Sequence, residues 1–393
     1  MKNKAKLFTL ATVLATGFAL LSACSAAPTS SSSAGTEIGK TFKIGEDLEL
    51  SGGVSAYGTA IKNGASLAVK EINENGGIDG KKIVMTSKDN KSDNAEAATV
   101  ASNLISNNKV NVIFGPATSG GAMALLPTAT KSSVPVVSPT ATADAYTVTK
   151  GKVNQYAFRN TFQDSFQGKV LANYAEKNLK AEKVIMYYDN SSDYAKGIEA
   201  AFEKNFKGSI VDKVTFTSGD TDFQATLSKI KGEEFDAIIM PGYYNETGLI
   251  TKQARALGIS VPILSGDGAA DPAFIELAGK EAASNVFFVS GYSATVTLSE
   301  RASEFVKAYK EKFNEEPGMF SALAYDGIYY IKQAQEKSHA KTSKELAEAL
   351  AKVKDFTGVT GEMTIDSEHN PVKSALVIKL DNGEMTSSEI VKP

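Results

Sequence analysis

The stretch VNVIFGPATSGG, residues 110–121, decides the fold. Its core, Val112–Phe114, is apolar throughout, which is typical of a strand that is covered on both faces of a sheet. Small and hydroxyl-bearing residues follow this strand and lead into the start of a helix. This order of buried strand, short loop and helix predicts a parallel sheet of the α/β class.

The same order recurs along the chain in two series. Amphipathic stretches with helical spacing separate the strand-like runs, and Asp93 and Asp164 stand where helices should begin. Two series of four or five strands are more than one compact sheet usually holds, so we predict two doubly wound parallel-sheet lobes with right-handed crossovers. The strand-like runs are 42–50, 82–89, 110–116 and 134–139, followed by 183–189, 209–216, 235–242, 261–267 and 285–291.

The last third of the chain has a different pattern. Three helices are predicted over 298–313, 319–337 and 343–353. Two strand-like runs then follow, joined by Asp381-Asn382-Gly383, and this turn chemistry predicts a β-hairpin.

The N-terminus carries a processing signal rather than part of the fold. Three lysines precede an uncharged, mostly apolar stretch, residues 7–21, that is too short to span the ~30 Å hydrocarbon core of a membrane. It ends in Leu-Ser-Ala-Cys24, which resembles the bacterial lipobox. We predict a signal peptide over 1–23, lipid on Cys24, and a flexible tether over 24–40 at the extracytoplasmic face of the cell membrane. The alternative is an ordinary signal peptide that is cut elsewhere.

Composition argues against several classes of function. Cys24 is the single cysteine, so neither an intramolecular disulfide nor a cysteine-based metal site can form. The formal net charge of −3 suggests no basic face for nucleic acid. His339 and His369 stand in polar surroundings and are expected to be solvated. Because no metalloprotease, EF-hand or nucleophile-elbow motif occurs, we expect no catalysis, no cofactor and no metal.

Polar and aromatic side chains follow the predicted strands at the positions where ligands bind in open α/β sheets. Thr118 and Ser119 offer hydroxyls at a helix start, which suits an anion. Thr140 and Thr142 offer carbonyl and hydroxyl oxygens, which suit an ammonium group. An acid and tyrosines at the other strand ends would match a zwitterion held between the lobes, although helix capping and packing are structural alternatives. These further residues are Tyr57, Tyr194, Tyr243, Tyr244 and Asp267.

These residues lie in stretches that resemble the branched-chain amino acid-binding proteins of ABC importers, a family with the type I periplasmic binding protein fold. The resemblance runs from about Phe42 to the C-terminus, and order, spacing and strand context agree along it. The matching stretches are SGGVSAYGTAIKNGASLAVKEINENGGIDGKKI (51–83), VIFGPATSGG (112–121), VPVVSPTAT (134–142), YAFRNTFQDSFQG (156–168), IIMPGYYNETGLITKQARALG (238–258) and LSGDGAADP (264–272).

The resemblance implies a role for each site residue. The carboxylate of an aliphatic amino acid is bound by Ser119, with Thr118 beside it. The ammonium group is held by the Thr140 carbonyl, the Thr142 hydroxyl and the Asp267 carboxylate. Relatives with leucine-type specificity often carry the longer Glu at this last position. The aromatic residues that close around the ligand are Tyr57, Tyr194 and Tyr243.

The resemblance also implies three chain crossings between the lobes, near 158–162, 289–293 and 365–371. The N-terminal lobe is then 41–160 plus 291–367, and the C-terminal lobe is 161–290 plus 368–393. The expected partners are an amino acid, probed first as Leu, Ile or Val, and a membrane permease, and the protein is expected to be a monomer. The alternatives are a same-fold binding protein for an amide, urea or an aromatic acid, a ligand-presenting sensor, and a lipid-anchored enzyme.

Overall fold

The computed structural model describes residues 34–296 and 299–392. The predicted signal peptide, the lipobox and Cys24 lie outside the described residues. Within the described part of the chain, no helix has both the length and the apolar character that crossing a membrane requires.

The first sheet has five parallel strands in the order β2-β1-β3-β4-β7. Its central strands are short because each run of buried apolar residues ends at a glycine, a proline or a polar loop, and β3 and β4 are buried throughout. The strands of this region are β1 (Phe42–Leu48), β2 (Ile83–Asp89), β3 (Val112–Phe114), β4 (Val136–Ser138), the small hairpin β5 (Val148–Thr149) and β6 (Lys152–Val153), and β7 (Ala157–Arg159).

Helices connect these strands and begin where the sequence predicts. The Asp93 side chain accepts a hydrogen bond of 2.7 Å from the backbone N–H of Glu96, so the predicted cap is confirmed. The first helix ends before Gly76 and Gly77, which both have positive φ. The helices of this region are α1 (Ser55–Glu74), α2 (Asn94–Asn103) with a π-helical extension (Leu104–Asn108), α3 (Ser119–Ser132) and α4 (Asp144–Thr147).

The second sheet has seven strands in the order β17-β16-β12-β11-β10-β8-β9. Five are parallel, whereas β16 pairs antiparallel with β12, and β17 pairs antiparallel with β16 to form the predicted hairpin at the edge of the sheet. The parallel pairing predicted for this sheet is therefore confirmed for its five other strands, and the antiparallel pairing of β16 with β12 is an addition that the sequence did not predict. The strands are β8 (Lys183–Asp189), β9 (Ser209–Phe216), β10 (Ala237–Ile239), β11 (Ile263–Ser265), β12 (Val286–Ser290), β16 (Ala375–Asp381) and β17 (Glu384–Val391).

The chain moves between the two sheets three times. It leaves the first sheet after β7, returns after β12 to pack α11 against α1, and rejoins the second sheet at β16. The helices of the second-sheet region are α5 (Asp164–Lys177), α6 (Asp193–Asn205), α7 (Gln224–Ile230), α8 (Tyr244–Ala256) and α9 (Pro272–Ala278). The returning segment contains α10 (Glu300–Phe313), α11 (Met319–Ser338), α12 (Ser343–Leu350), β13 (Phe356–Gly358), β14 (Gly361–Ile365) and β15 (Pro371–Val372).

The two histidines differ in their surroundings. His339 is exposed and lies 3.0 Å from an Asp79 carboxylate oxygen. His369 is buried: its ring stacks on Phe158 with centroids 4.4 Å apart, and Nδ1 lies 3.1 Å from the carbonyl of Ala157. The expectation that both histidines are solvated is therefore wrong for His369, because its burial comes from packing against β7 rather than from its neighbours in sequence.

Candidate functional site

The start of α3 and the loop after β4 are tied together by one buried hydroxyl. The Oγ of Ser119 accepts hydrogen bonds from the backbone N–H groups of Thr142, at 3.2 Å, and Ala143, at 3.0 Å. A serine hydroxyl has two acceptor positions and one proton. Because both acceptor positions are used, Ser119 is set to donate its proton, which suits an incoming anion.

Thr118 has a different environment from its neighbour Ser119. Its hydroxyl caps α3 by accepting from Gly121 N, at 3.3 Å, and donates to the carboxylate of Glu49, at 2.8 Å. Glu49 is buried, and it also accepts from the backbone N–H groups of Ala117 and Thr118. The structure therefore uses the Thr118 hydroxyl to fix the loop.

The loop after β4 is held in shape by a buried arginine. Thr140 and Thr142 lie on this loop, and the Thr140 hydroxyl donates to the carbonyl of Ala117, at 2.9 Å. The guanidinium of Arg159 donates to the carbonyl of Ala141, at 3.0 Å, and to that of Ala143, at 2.8 Å. Arg159 is fully buried. Because a guanidinium stays protonated in proteins, Arg159 places a permanent positive charge beneath the loop.

Two carboxylates meet at the second sheet. Asp267 opens a 3₁₀ turn, Asp267–Ala269, that follows β11 directly, and Asp164 is the first residue of α5. The amide of Gln167 donates to Oδ1 of Asp267, at 3.1 Å, and to Oδ1 of Asp164, at 3.3 Å. Its carbonyl oxygen accepts the backbone N–H of Asp267, at 2.9 Å. All three side chains are buried, so one amide aligns both acids.

Burial decides the charge state of these acids. It disfavours the ionised form and raises the pKa of Asp267 to about 7, although the neighbouring Tyr194 and Gln167 side chains lower it in part. Burial also raises the pKa of Asp164 well above its ordinary value; the Thr142 side chain lowers this pKa in part, and the negative charge of Asp267 raises it further. Asp164 Oδ2 has no hydrogen-bond partner. A positive charge placed beside such an acid would stabilise its ionised form.

Tyrosine side chains join the two sheets across these acids. The hydroxyl of Tyr57, on α1, donates to the carbonyl of Gly268 and accepts the backbone N–H of Tyr244, at 3.1 Å. The Tyr57 ring packs edge-on against Tyr243, and Tyr243 stacks on Tyr194 with centroids 5.1 Å apart. The three predicted tyrosines therefore form one aromatic row that runs from the first-sheet region to the second.

A groove of about 340 Å³ opens beside this row. It is lined from one side by Thr118 and Gly120 and from the other by Ser192 and Tyr243. A larger groove, of about 600 Å³, lies on the outer side of α8. There the terminal nitrogens of Arg255 already donate to backbone carbonyls, so they cannot bind a ligand without losing those bonds.

The structure brings the predicted residues together and adds four that sequence reasoning did not assign to the site. Arg159, Asp164 and Gln167 all lie in the stretch YAFRNTFQDSFQG, where Asp164 marked only a helix start. Phe320, on α11, stacks on Tyr57 with centroids 4.1 Å apart. No local pattern could reveal Phe320, because its place depends on the return of the chain to α1.

A family model described as periplasmic binding protein matches residues 41–384. The chain belongs to the periplasmic binding protein family. Proteins of this family are extracytoplasmic and bind substrates. The predicted α/β class and the type I periplasmic binding protein fold are therefore confirmed.

Three relatives of this periplasmic binding protein carry informative names. BraC3 of Rhizobium johnstonii, a Leu/Ile/Val-binding protein, is 32% identical over 338 residues, which cover 82% of this chain and 89% of that one. LivJ of Streptococcus pneumoniae, a branched-chain amino acid transporter substrate binding protein solved in complex with isoleucine, is 52% identical with a TM-score of 0.86, and the match covers 90% of this chain and 100% of that one. LivK of Thermotoga maritima, a leucine binding protein, is 34% identical with a TM-score of 0.84, covering 90% and 99%.

Proposed function

We propose that this protein captures a branched-chain aliphatic amino acid between two lobes and delivers it to an ABC importer. The observation that carries the proposal is a continuous chain of hydrogen bonds from the hydroxyl donor Ser119 to the acid Asp267. Thr142 N donates to Ser119, and Asp164 N donates to the carbonyl of Thr142, at 2.9 Å. Gln167 then links Asp164 to Asp267.

This chain matches the two ends of an amino acid. The ligand carboxylate accepts the proton of Ser119, beside Thr118 at the N-terminus of α3, where the helix dipole favours a negative charge. The ligand ammonium donates to the carbonyl of Thr140, the hydroxyl of Thr142 and the carboxylate of Asp267. Tyr57, Tyr194 and Tyr243 cover the bound ligand. The named relatives bind Leu, Ile or Val, which supports an aliphatic side chain.

The proposed lobes are 41–160 plus 291–367 and 161–290 plus 368–393. Closure by hinge motion exchanges the water around the ligand for fixed hydrogen bonds and forms the surface that the permease recognises. The bonds of Tyr57 to Gly268 and Tyr244 support this closure, because they connect α1 to the second-sheet region. The protein acts as a monomer and as a carrier rather than an enzyme, so a bound ligand is recovered unchanged.

The proposed location is the outer face of the membrane, with lipid on Cys24. The support for it is the lipobox-like sequence Leu-Ser-Ala-Cys24 and the polar stretch 25–40 after it. Lipid labelling of the full chain in a bacterial host tests this location. We expect label on the wild-type protein and none on Cys24→Ser; labelled Cys24→Ser would contradict the anchor.

Calorimetric titration of ligand-free protein tests the proposed ligand. Isoleucine should bind, whereas isoleucinamide, which lacks the carboxylate, and 3-methylpentanoate, which lacks the ammonium group, should bind at least about tenfold more weakly, because each leaves one buried polar group unpaired. A benzoate or urea that binds more tightly than isoleucine would contradict the assignment and favour the corresponding alternative.

A further inference from the structure

The two buried acids of the site share one amide and one positive charge. The NH₂ group of Gln167 has two protons, and the structure directs it to Oδ1 of Asp164 and Oδ1 of Asp267. The Gln167 carbonyl oxygen is used by the backbone N–H of Asp267. Both donor positions of Gln167 are therefore used, and Asp164 Oδ2 has no hydrogen-bond partner.

The charges around this pair do not balance when both acids are ionised. Arg159 is the cation that acts on Asp164 among the described residues, and it can compensate one carboxylate. Asp144, beside Asp164, adds a further negative charge. Three phenols face the pair, from α1, α6 and the loop before α8. They stay neutral, because burial raises the pKa of each above its ordinary value. They are Tyr57, Tyr194 and Tyr243.

We propose that Gln167 joins Asp164 and Asp267 into one acid pair, which holds a single proton in the unliganded protein and releases it when the ammonium group of an amino acid binds. Two interacting carboxylates in a site of low polarity titrate as a pair, so the proton belongs to both. One carboxyl O–H bond breaks, the proton passes to bulk water, and the ligand keeps its own three N–H protons.

This inference rests on the proposed function and adds a positioning role for Gln167. The cation that replaces the proton must be a compact donor, because it enters between acids that one amide already aligns. A primary ammonium group fits that description. A neutral amide cannot supply the charge and would leave the proton in place, so the pair selects amino acids against amides.

The proton count of isoleucine binding tests the pair. Titrations at about one pH unit below the Asp267 pKa of about 7, in buffers of different ionisation enthalpy, should give release of about one proton per isoleucine. Release should vanish about two pH units above that pKa. Below it, the dissociation constant should rise by up to tenfold for each unit of pH decrease.

Two variants distinguish loss of the acid pair from a general effect on the structure. Asp164→Asn removes the second acid of the pair, so Asp267 should ionise at lower pH and proton release at the same pH should fall well below one. Gln167→Ala should raise the dissociation constant about tenfold or more and reduce proton release. Gln335→Ala is the matched control, because Gln335 is a buried glutamine that bonds Asp79 and the Ala340 carbonyl away from the site. It should retain wild-type proton release.

The outcomes are distinct for the two proposals. Isoleucine binding with no net proton release across this pH range overturns the acid pair and leaves the proposed ligand intact. Unchanged release in Asp164→Asn also overturns the pair. Failure of isoleucine to bind at all overturns both the proposed function and the inference that rests on it.

Discussion

Two buried charge clusters among the described residues differ in character. The site cluster is Arg159, Asp164 and Asp267, and the crossing cluster is Asp326, on α11, and Lys373, in the segment that joins β15 to β16. In the crossing cluster, Asp326 accepts three hydrogen bonds, from Val359 N, Thr360 N and the Thr360 hydroxyl. Lys373 donates to the Thr360 hydroxyl, at 2.8 Å, and to the carbonyl of Asn160, at 3.2 Å.

The two clusters differ in whether their buried charges and polar atoms are paired within the protein. The crossing cluster holds one acid and one base, and neither has a buried side-chain atom without a partner among the described residues. The site cluster holds two acids and one base, and both Asp164 Oδ2 and Arg159 Nε are unpartnered. The crossing cluster is therefore satisfied within the fold, whereas the site cluster has polar atoms that a bound ligand could pair.

The largest expected effect is on stability, at the crossing cluster. Asp326→Ala should lower the free energy of unfolding by ~3–5 kcal/mol, because it removes the counter-charge near the buried ammonium of Lys373 and leaves two backbone N–H groups unpaired. Urea unfolding followed by circular dichroism measures this loss. Glu362→Ala, an exposed change on β14, is the control and should change stability by less than ~0.5 kcal/mol. Equal stability of Asp326→Ala and wild type would contradict the claim that the crossing cluster stabilises the fold.

The next effect is on affinity, at the site cluster. Asp267→Ala should weaken isoleucine binding by ~2–5 kcal/mol, at least about thirtyfold in the dissociation constant, because the ligand ammonium loses its counter-charge. Calorimetry measures it. Asp271→Ala removes the cap of α9 nearby and should reduce stability rather than affinity. Unchanged amino acid affinity in Asp267→Ala would contradict the assignment of the site.

Two neighbouring hydroxyl residues should differ in the same way, one acting on ligand affinity and the other on stability. Ser119→Ala should weaken isoleucine binding by ~1.5–3 kcal/mol, because a charged carboxylate loses a hydrogen-bond donor. Thr118→Ala should mainly destabilise the fold, by ~1 kcal/mol, because Thr118 caps α3 and binds Glu49. Titration and urea unfolding of both variants test this division. A larger loss of affinity in Thr118→Ala than in Ser119→Ala would reverse it.

The smallest expected effect is on how the free energy of unfolding changes with pH. This change should have opposite signs for the two clusters. The pKa of Asp267 is raised from 3.8 to about 7, so between these values the folded, ligand-free protein binds more protons than the unfolded chain, and its stability falls as pH rises. The pKa of Lys373 is lowered from 10.5 to about 8, so between these values the unfolded chain binds more protons, and stability rises with pH.

When one group titrates, the free energy of unfolding can change by at most ~1.4 kcal/mol per pH unit. Urea unfolding of the wild type and of Asp267→Asn at several pH values measures the difference between their free energies of unfolding. Asp267→Asn should be the more stable protein near neutral pH, and the two should converge towards pH 4, where the aspartate of the unfolded chain also becomes protonated. A constant difference at every pH would show that Asp267 does not titrate in this range.

Local sequence predicts the elements of this fold better than the contacts between them. The runs of β8 and β9 were predicted with the bounds that the structure has. The strand β7, Ala157–Arg159, was missed, since it has three residues and one is a buried arginine. The antiparallel pairing of β16 with β12 was missed because it depends on the third passage between the sheets.

The site shows the same division. Ser119 and Asp267 were predicted because each lies at the end of the short loop that follows a strand, a position that any parallel sheet brings to one edge. Gln167 was not, because its bonds to Asp164 and Asp267 exist only after α5 packs beside β11. Charge balance is likewise a property of packing, so no sequence pattern distinguishes the site cluster from the crossing cluster.

The most direct test of the account is a crystal structure of the protein with isoleucine. The ammonium nitrogen should lie ~2.7–3.2 Å from a carboxylate oxygen of Asp267, with the ligand carboxylate at the same distance from the Ser119 hydroxyl. Isoleucine in the reverse orientation, or bound away from Asp267, would contradict the claim that the unbalanced charge cluster is the ligand site.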